Sequence, residues 1–172
     1  MNQTKLRTYP FSASQFVEWA MHKVNKPRVM GIIEHYVHHQ TVIKYQVQTV
    51  VRPTNEDNWF SKENMPSIVR TAQLVMSEGE ISAIYKDLKL NGRIDQLYQY
   101  NGSFVLVDTK SHEYASLKDQ LQLSFYALVL SLMGYKIADV AFIRSVYNNE
   151  VFYDLVELIP TEAMKEIIRE VE

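Results

Sequence analysis

The dipeptide Asn101-Gly102 divides two β-prone runs, and it constrains the fold more than any other feature of the chain. Ile94, Leu97, Tyr98 and Tyr100 precede it, and Phe104, Val105, Leu106 and Val107 follow it. Both central residues of a type I′ turn need positive φ, which asparagine and glycine tolerate. A two-residue loop makes the strands antiparallel and fixes their register. Counting outward, Tyr100 pairs with Ser103, Gln96 with Val107 and Asp95 with Asp108. Two carboxylates then face each other at the open end of the hairpin, where directly opposed Cβ atoms stand about 5 Å apart. Like charges placed there destabilise a sheet, so the pairing asks for a reason. Lys110, two residues beyond Asp108, projects to the same face.

Two readings fit the hairpin alone. In one, two acids and a lysine at paired strand ends hold a divalent metal beside a phosphate. In the other, Asp-Thr-Lys is a polar strand end and Asp95 a solvated edge residue. Aspartate is depleted in strands, and Val105-Leu106-Val107 reads as a buried strand running straight into Asp108, which weighs against the second.

The next segment adds information. From Leu117 to Met133 apolar residues recur at Leu121, Phe125, Leu128, Val129 and Leu132, a helical period. Gln122 and Tyr126 are one turn apart on a neighbouring face and project side by side. By themselves they read equally as a half-buried helix shoulder. Gly134 is placed to end the helix.

Taken together, Gly92-Arg93-Ile94-Asp95, Val107-Asp108-Thr109-Lys110 and Gln122-Leu123-Ser124-Phe125-Tyr126 resemble the PD-(D/E)XK nuclease superfamily. The order and spacing are similar to its RecB-like branch, which includes phage and prophage recombination exonucleases. Gly31-Ile32-Ile33-Glu34-His35 resembles the branch's upstream G-x-x-x-H helix, and Ser12-Ala13-Ser14-Gln15-Phe16 the opening of its first helix. The resemblance implies an α/β restriction-endonuclease-like core, a central mixed β-sheet flanked by helices, as one nuclease domain over residues 1–172. It implies hydrolysis of DNA phosphodiesters. Asp95, Asp108 and Lys110 would be catalytic, and Asp95, Asp108, the Thr109 carbonyl and His35 would hold Mg²⁺ or Mn²⁺. Gln122 and Tyr126 would position the strand or the catalytic loop. An exonuclease of recombination, repair or phage DNA processing is the leading expectation. The rivals are an endonuclease of the same fold, an RNA-directed enzyme, or an inactive or partner-dependent DNA-binding module.

The chain also departs from the family. Several relatives hold an iron–sulfur cluster on four cysteines; this chain has none, so that cluster is excluded. No separate helical glutamate of the superfamily motif is evident, and His35 would take its metal-side role. His35, His38 and His39 share zinc-like spacing, but the intervening glutamate of the metalloprotease pattern is missing. His38 and His39 read as a polar shoulder. His112 reads as a loop histidine near Lys110, with phosphate contact the alternative, and Glu80 as an auxiliary acid.

At 172 residues with 47% hydrophobic content, one domain with a sizeable core is expected. A net charge of -2 argues against a general nucleic-acid coat protein, whose affinity sums many phosphate contacts. It is compatible with a nuclease helped by a homo-oligomer or by a recombination, annealing or helicase partner. There is no signal peptide and no apolar run near the roughly 18 residues of a membrane span, so a cytoplasmic protein without a membrane partner is expected.

The remaining segments read as follows. Helices are expected at 12–24, capped by Ser12 or Ser14, and at 27–41, with 42–51 either strand or helix continuation. Residues 52–65 read as a loop in which Trp59 and Phe60 either stack on a base or pin the loop. Further expectations are a helix at 66–76, strands at 138–145 and 151–156 around Asn148-Asn149, and a final helix capped by Thr161 and buried through Met164, Ile167 and Ile168.

Overall fold

The computed structural model describes residues 8–22, 26–46, 72–112, 115–148 and 150–171, the side chains of 38–46 and 150 excepted. In chain order the elements are β1 (Tyr9–Ser12), α1 (Ala13–His22), α2 (Pro27–Gln46), β2 (Gln73–Tyr85), β3 (Leu88–Tyr100) and β4 (Ser103–Lys110). Then come α3 (Leu117–Leu132), β5 (Val140–Tyr147), β6 (Glu150–Glu157) and α4 (Thr161–Arg169). The six strands form one mixed sheet in the order β1-β3-β4-β5-β6, with β2 also on β3.

The central hairpin forms as its turn dictates. Asn101 has φ 48° and Gly102 φ 78°, both positive, and Tyr100 pairs with Ser103 and Gln96 with Val107. From the end of β4 the chain crosses over through α3 and returns as β5, parallel to β4, with Asp108 beside Ile143. A parallel pair needs such a crossover, and the helix then covers the sheet. β6 pairs back on β5 in antiparallel register around Asn148, at φ 49°. β1 runs parallel to β3, Phe11 beside Leu90, and this places α1 over the start of β3.

Strand alternation divides the core. Leu97 and Leu106 face a large cluster with Phe16 of α1, Phe125 of α3 and Met164 and Ile167 of α4. Val105 and Val107 face a smaller cluster with Tyr98, Phe142 and Tyr153. α3 is buried from Asp119 to Leu130 almost all round, rather than along one face. A helix apolar on every side belongs inside a domain. Its ends are well made. Ser116 and Asp119 form a capping box. At the other end, Tyr135 N–H bonds to Leu130 O and Gly134 N–H to Ser131 O, a Schellman closure with Gly134 at φ 103°. α1 starts similarly: Ser12 N–H donates to Gln15 Oε1 at 2.8 Å and Gln15 N–H to Ser12 Oγ at 3.2 Å.

Several expectations change. Residues 73–76, expected to close a helix from Pro66, open β2 instead; 66–71 lie outside the described residues. The pairing of Gln73 with Gln99 and Leu74 with Tyr98 decides this segment. It overrides local propensity where Leu74 and Val75 are exposed and give no helical stripe. Thr161 is the first helical residue rather than the cap. Pro160 holds the cap position, at φ -56°, without a side-chain hydrogen bond. α2 continues to Gln46, which settles 42–46 as helix; 47–51 and the 52–65 loop with Trp59 and Phe60 lie outside the described residues. Among the described residues no helix is long and apolar enough to cross a membrane.

Candidate active site

The β3–β4 ladder runs to Gln96 and Val107, one step short of pairing Asp95 with Asp108. There the Asp95 side chain replaces a backbone acceptor: its Oδ2 takes the Thr109 N–H at 2.8 Å. The strands thus begin to part, and the carboxylates meet across the gap without opposing each other in the ladder.

Asp108 is 5% exposed. The Lys110 ammonium stands 3.0 Å from its Oδ2, an ion pair by distance. The approach is not aligned as a hydrogen bond, and this buried oxygen has no hydrogen-bond partner among the described residues. Lys110 Nζ instead donates to Gln122 Oε1 at 2.7 Å, and Gln122 Nε2 donates to the Tyr126 hydroxyl at 3.0 Å. Four side chains from β4 and α3 therefore form one line, Asp108–Lys110–Gln122–Tyr126. The helical spacing of Gln122 and Tyr126 makes them adjacent, and the N-cap at Ser116 fixes which turn of α3 faces β4.

Gly92 explains how Tyr126 fits. A Cβ at residue 92 would stand 2.6 Å from Tyr126 Cε1 and 3.0 Å from Cδ1. Only hydrogen leaves room for the ring, so the glycine three residues before Asp95 is a packing requirement of the tyrosine.

The electrostatics reflect crowded anions. Burial, then the hydrogen bond with Asp95, lift the Asp108 carboxyl to about 7; Lys110 opposes the shift and the Asp95 charge adds to it. Burial, then the charges of Asp108 and Asp95, push the Tyr126 phenol up to about 12, so it stays protonated.

A buried carboxylate oxygen without a hydrogen bond, beside a second carboxylate, is a donor set for a hard cation. Among the described residues no group of three histidines, cysteines or carboxylates stands together. Magnesium does not require one, since it is commonly bound by one or two carboxylates and keeps several waters. Asp95 and Asp108 fit such an ion.

The other expected residues lie as follows. Thr109 lies between Asp108 and Lys110 in β4, its N–H on the Asp95 carboxylate. His35 is exposed on α2, its ring edge-on to Tyr36 at 4.9 Å between centroids. α2 is tied to α4 by Arg28 and Glu166 at 3.0 Å, and packs mainly on β6 and α4. The structure therefore brings together Asp95, Asp108, Lys110, Gln122 and Tyr126, and carries His35 on α2 next to Tyr36, whose carbonyl accepts from Gln120 Nε2 of α3 at 3.3 Å. Glu80 is exposed on β2 opposite Arg93. The side chains of His38 and His39 lie outside the described ones.

Two clefts flank the line of side chains. One, of about 520 Å³, is lined by Lys110, His112 and Gln122 together with Ser14, Glu18 and His22 of α1. The other, of about 720 Å³, is lined by Tyr126, Ser12, Glu80, Lys89 and Arg93 among others. The contribution of α1 was not legible in the sequence. The Ser12-x-x-Gln15 box locates its start, but only the parallel pairing of β1 with β3 shows that it borders the site.

The sequence matches the family model of the PD-(D/E)XK nuclease superfamily over residues 15–165. The chain belongs to that superfamily. The mixed sheet flanked by helices is accordingly a restriction-endonuclease-like core, and the activity to expect is that of a nuclease. PD-(D/E)XK nucleases generally use divalent metals, in keeping with the paired acids of this PD-(D/E)XK chain. No curated protein matches. Among solved structures, the crystal structure of SSO0001 is similar at 13% identity and a TM-score of 0.40, over 94% of this chain and 73% of that one. The family assignment does not rest on that likeness.

Proposed function

We propose that this PD-(D/E)XK protein is a Mg²⁺- or Mn²⁺-dependent deoxyribonuclease of the RecB-like type. In this reading it is an exonuclease that acts in DNA recombination, repair or phage DNA processing. The observation that carries the proposal is the buried Asp108 oxygen with no hydrogen bond among the described residues, set beside Asp95 and Lys110. Without a cation the arrangement is costly, because burial and a neighbouring carboxylate both disfavour its charge.

Asp95 and Asp108 would hold the ion, with the Thr109 carbonyl as a further ligand. His35 is proposed as another on the G-x-x-x-H resemblance alone. A bound divalent cation polarises the phosphoryl group and lowers the pKa of a coordinated water. Lys110 orients the attacking water and offsets the charge that develops on the phosphate. Gln122 holds the Lys110 ammonium in place, and the protonated Tyr126 hydroxyl holds Gln122. The net charge of -2 supports dependence on a second copy or on an annealing or helicase partner for firm DNA binding.

Digestion of end-labelled linear DNA and covalently closed circular DNA, with Mg²⁺, Mn²⁺ or EDTA, tests the proposal. Metal-dependent loss of the linear substrate alone is the expected result and also gives the polarity. Cutting of the closed circle would make the protein an endonuclease. Cleavage of neither would replace the enzyme by a DNA-binding module of the same fold.

A further inference from the structure

The cleft beside Lys110 contains a side-chain pair that the proposed chemistry leaves unused. His112 Nε2 lies 3.2 Å from Asp119 Oδ2. Asp119 is 4% exposed, and the same oxygen accepts the Ser116 N–H at 2.8 Å and the Ser116 hydroxyl at 3.0 Å. The carboxylate is thus fixed by the cap of α3. His112 is 45% exposed and lines the cleft with Lys110, Lys118, Gln122 and His22. The exposed imidazole thus stands beside a buried, cap-fixed acid, on the wall that carries Lys110.

We propose that His112 binds the DNA phosphate next to the scissile one, and that Asp119 is its positioning residue. The inference rests on the nuclease reading and adds a substrate contact to it. With Nε2 facing Asp119 at 3.2 Å, Nδ1 is the ring nitrogen left to face a phosphate oxygen. Residues 110 and 112 are at most about 7 Å apart along the chain, the scale of one step along a nucleic-acid backbone. Lys118, in the first turn of α3, adds positive charge to the same wall. The acid that lines the cleft besides Asp119 is Glu18, on the facing helix, so the cationic groups gather on the β4–α3 side.

The test uses linear DNA with Mg²⁺, either unmodified or carrying a single neutral methylphosphonate one nucleotide to either side of the cleaved bond. His112→Ala should raise KM about tenfold, the scale of one hydrogen bond to a charged group, and act on KM rather than kcat. His112→Asn, which keeps a donor near the Nδ1 position, should recover part of the loss. On one of the two neutral-linkage substrates the parent should lose the same factor, and His112→Ala should lose nothing more. Equal KM for parent and His112→Ala would overturn the inference. So would a full, additive loss by His112→Ala on both neutral-linkage substrates, because a purely structural histidine would give that. A parent that cuts no DNA with either metal would overturn the nuclease reading as well, so the two failures are separable.

Discussion

With its carboxyl raised to about 7 by burial and by the hydrogen bond with Asp95, Asp108 ties its proton to the stability of the fold. The folded value lies above the ordinary unfolded one near 3.9. The native state therefore binds the extra proton between about pH 4 and pH 7, and the stability it contributes is present in acid and lost as pH rises through that window. The metal-free parent should melt at a lower temperature at pH 8 than at pH 5. Asp108→Asn should flatten that difference, and Mg²⁺ at pH 8 should raise the melting temperature of the parent but not of the variant. Calorimetry or fluorescence melting checks all three. For activity, Asp108→Ala and Lys110→Ala should each lower kcat by at least about 100-fold with folding nearly intact; equal cleavage by variant and parent would refute their roles. Gly92→Ala meets the Tyr126 ring at 2.6 Å and should cost about 1–3 kcal/mol by overpacking. Urea titration measures that loss, and adding Tyr126→Ala should relieve most of it.

Among elements, the hairpin and α3 were the most legible, because each is defined by residues close in sequence. Asn101-Gly102 specifies its turn chemically, and the register through Gln96 and Val107 follows by counting. The count fails at the last step, where Asp95 turns its side chain to the Thr109 N–H; no local pattern marks where paired strands begin to part. Gly102→Ala, at φ 78°, should cost about 1 kcal/mol in urea unfolding. Its activity per folded molecule should not change, since the turn is at the far end of the hairpin from the acids. The opening of β2, residues 73–76, was misread as helix because Gln73, Leu74 and Val75 are exposed and carry little alternation, and only the ladder with β3 makes them strand. β1 was missed for a related reason. Four residues, Tyr9–Ser12, are too few to show a period, and their partner Leu88–Asn91 is far away in the chain. Gln122 and Tyr126 were found by motif and spacing, whereas the α1 wall of the cleft depended on that distant pairing.

For the molecule as a whole, the net charge of -2 limits how the proposed DNA substrate can be held. The two clefts that flank the line of side chains offer Lys110 and Lys118 on one side and Lys89 and Arg93 on the other. Each neutralised phosphate of a single strand contributes about −0.7 to the slope of log K against log salt. The isolated protein should therefore show a slope no steeper than about −2 to −3 by fluorescence anisotropy. A slope near −6 would mean that a further basic surface, or a second copy, engages the strand. The parallel junction of β1 with β3 has a different consequence. It joins Phe11 to Leu90, while Gly92 waits for Tyr126, so the proposed catalytic constellation needs contacts among the most distant in sequence that the sheet makes. Such contacts are slow to form, because long loops must close first. The Asn-Gly hairpin can appear early, on its own, during synthesis. The proposed cutting edge is assembled only once the ribosome has released α3, so a half-made chain carries both acids but has no edge to use them with.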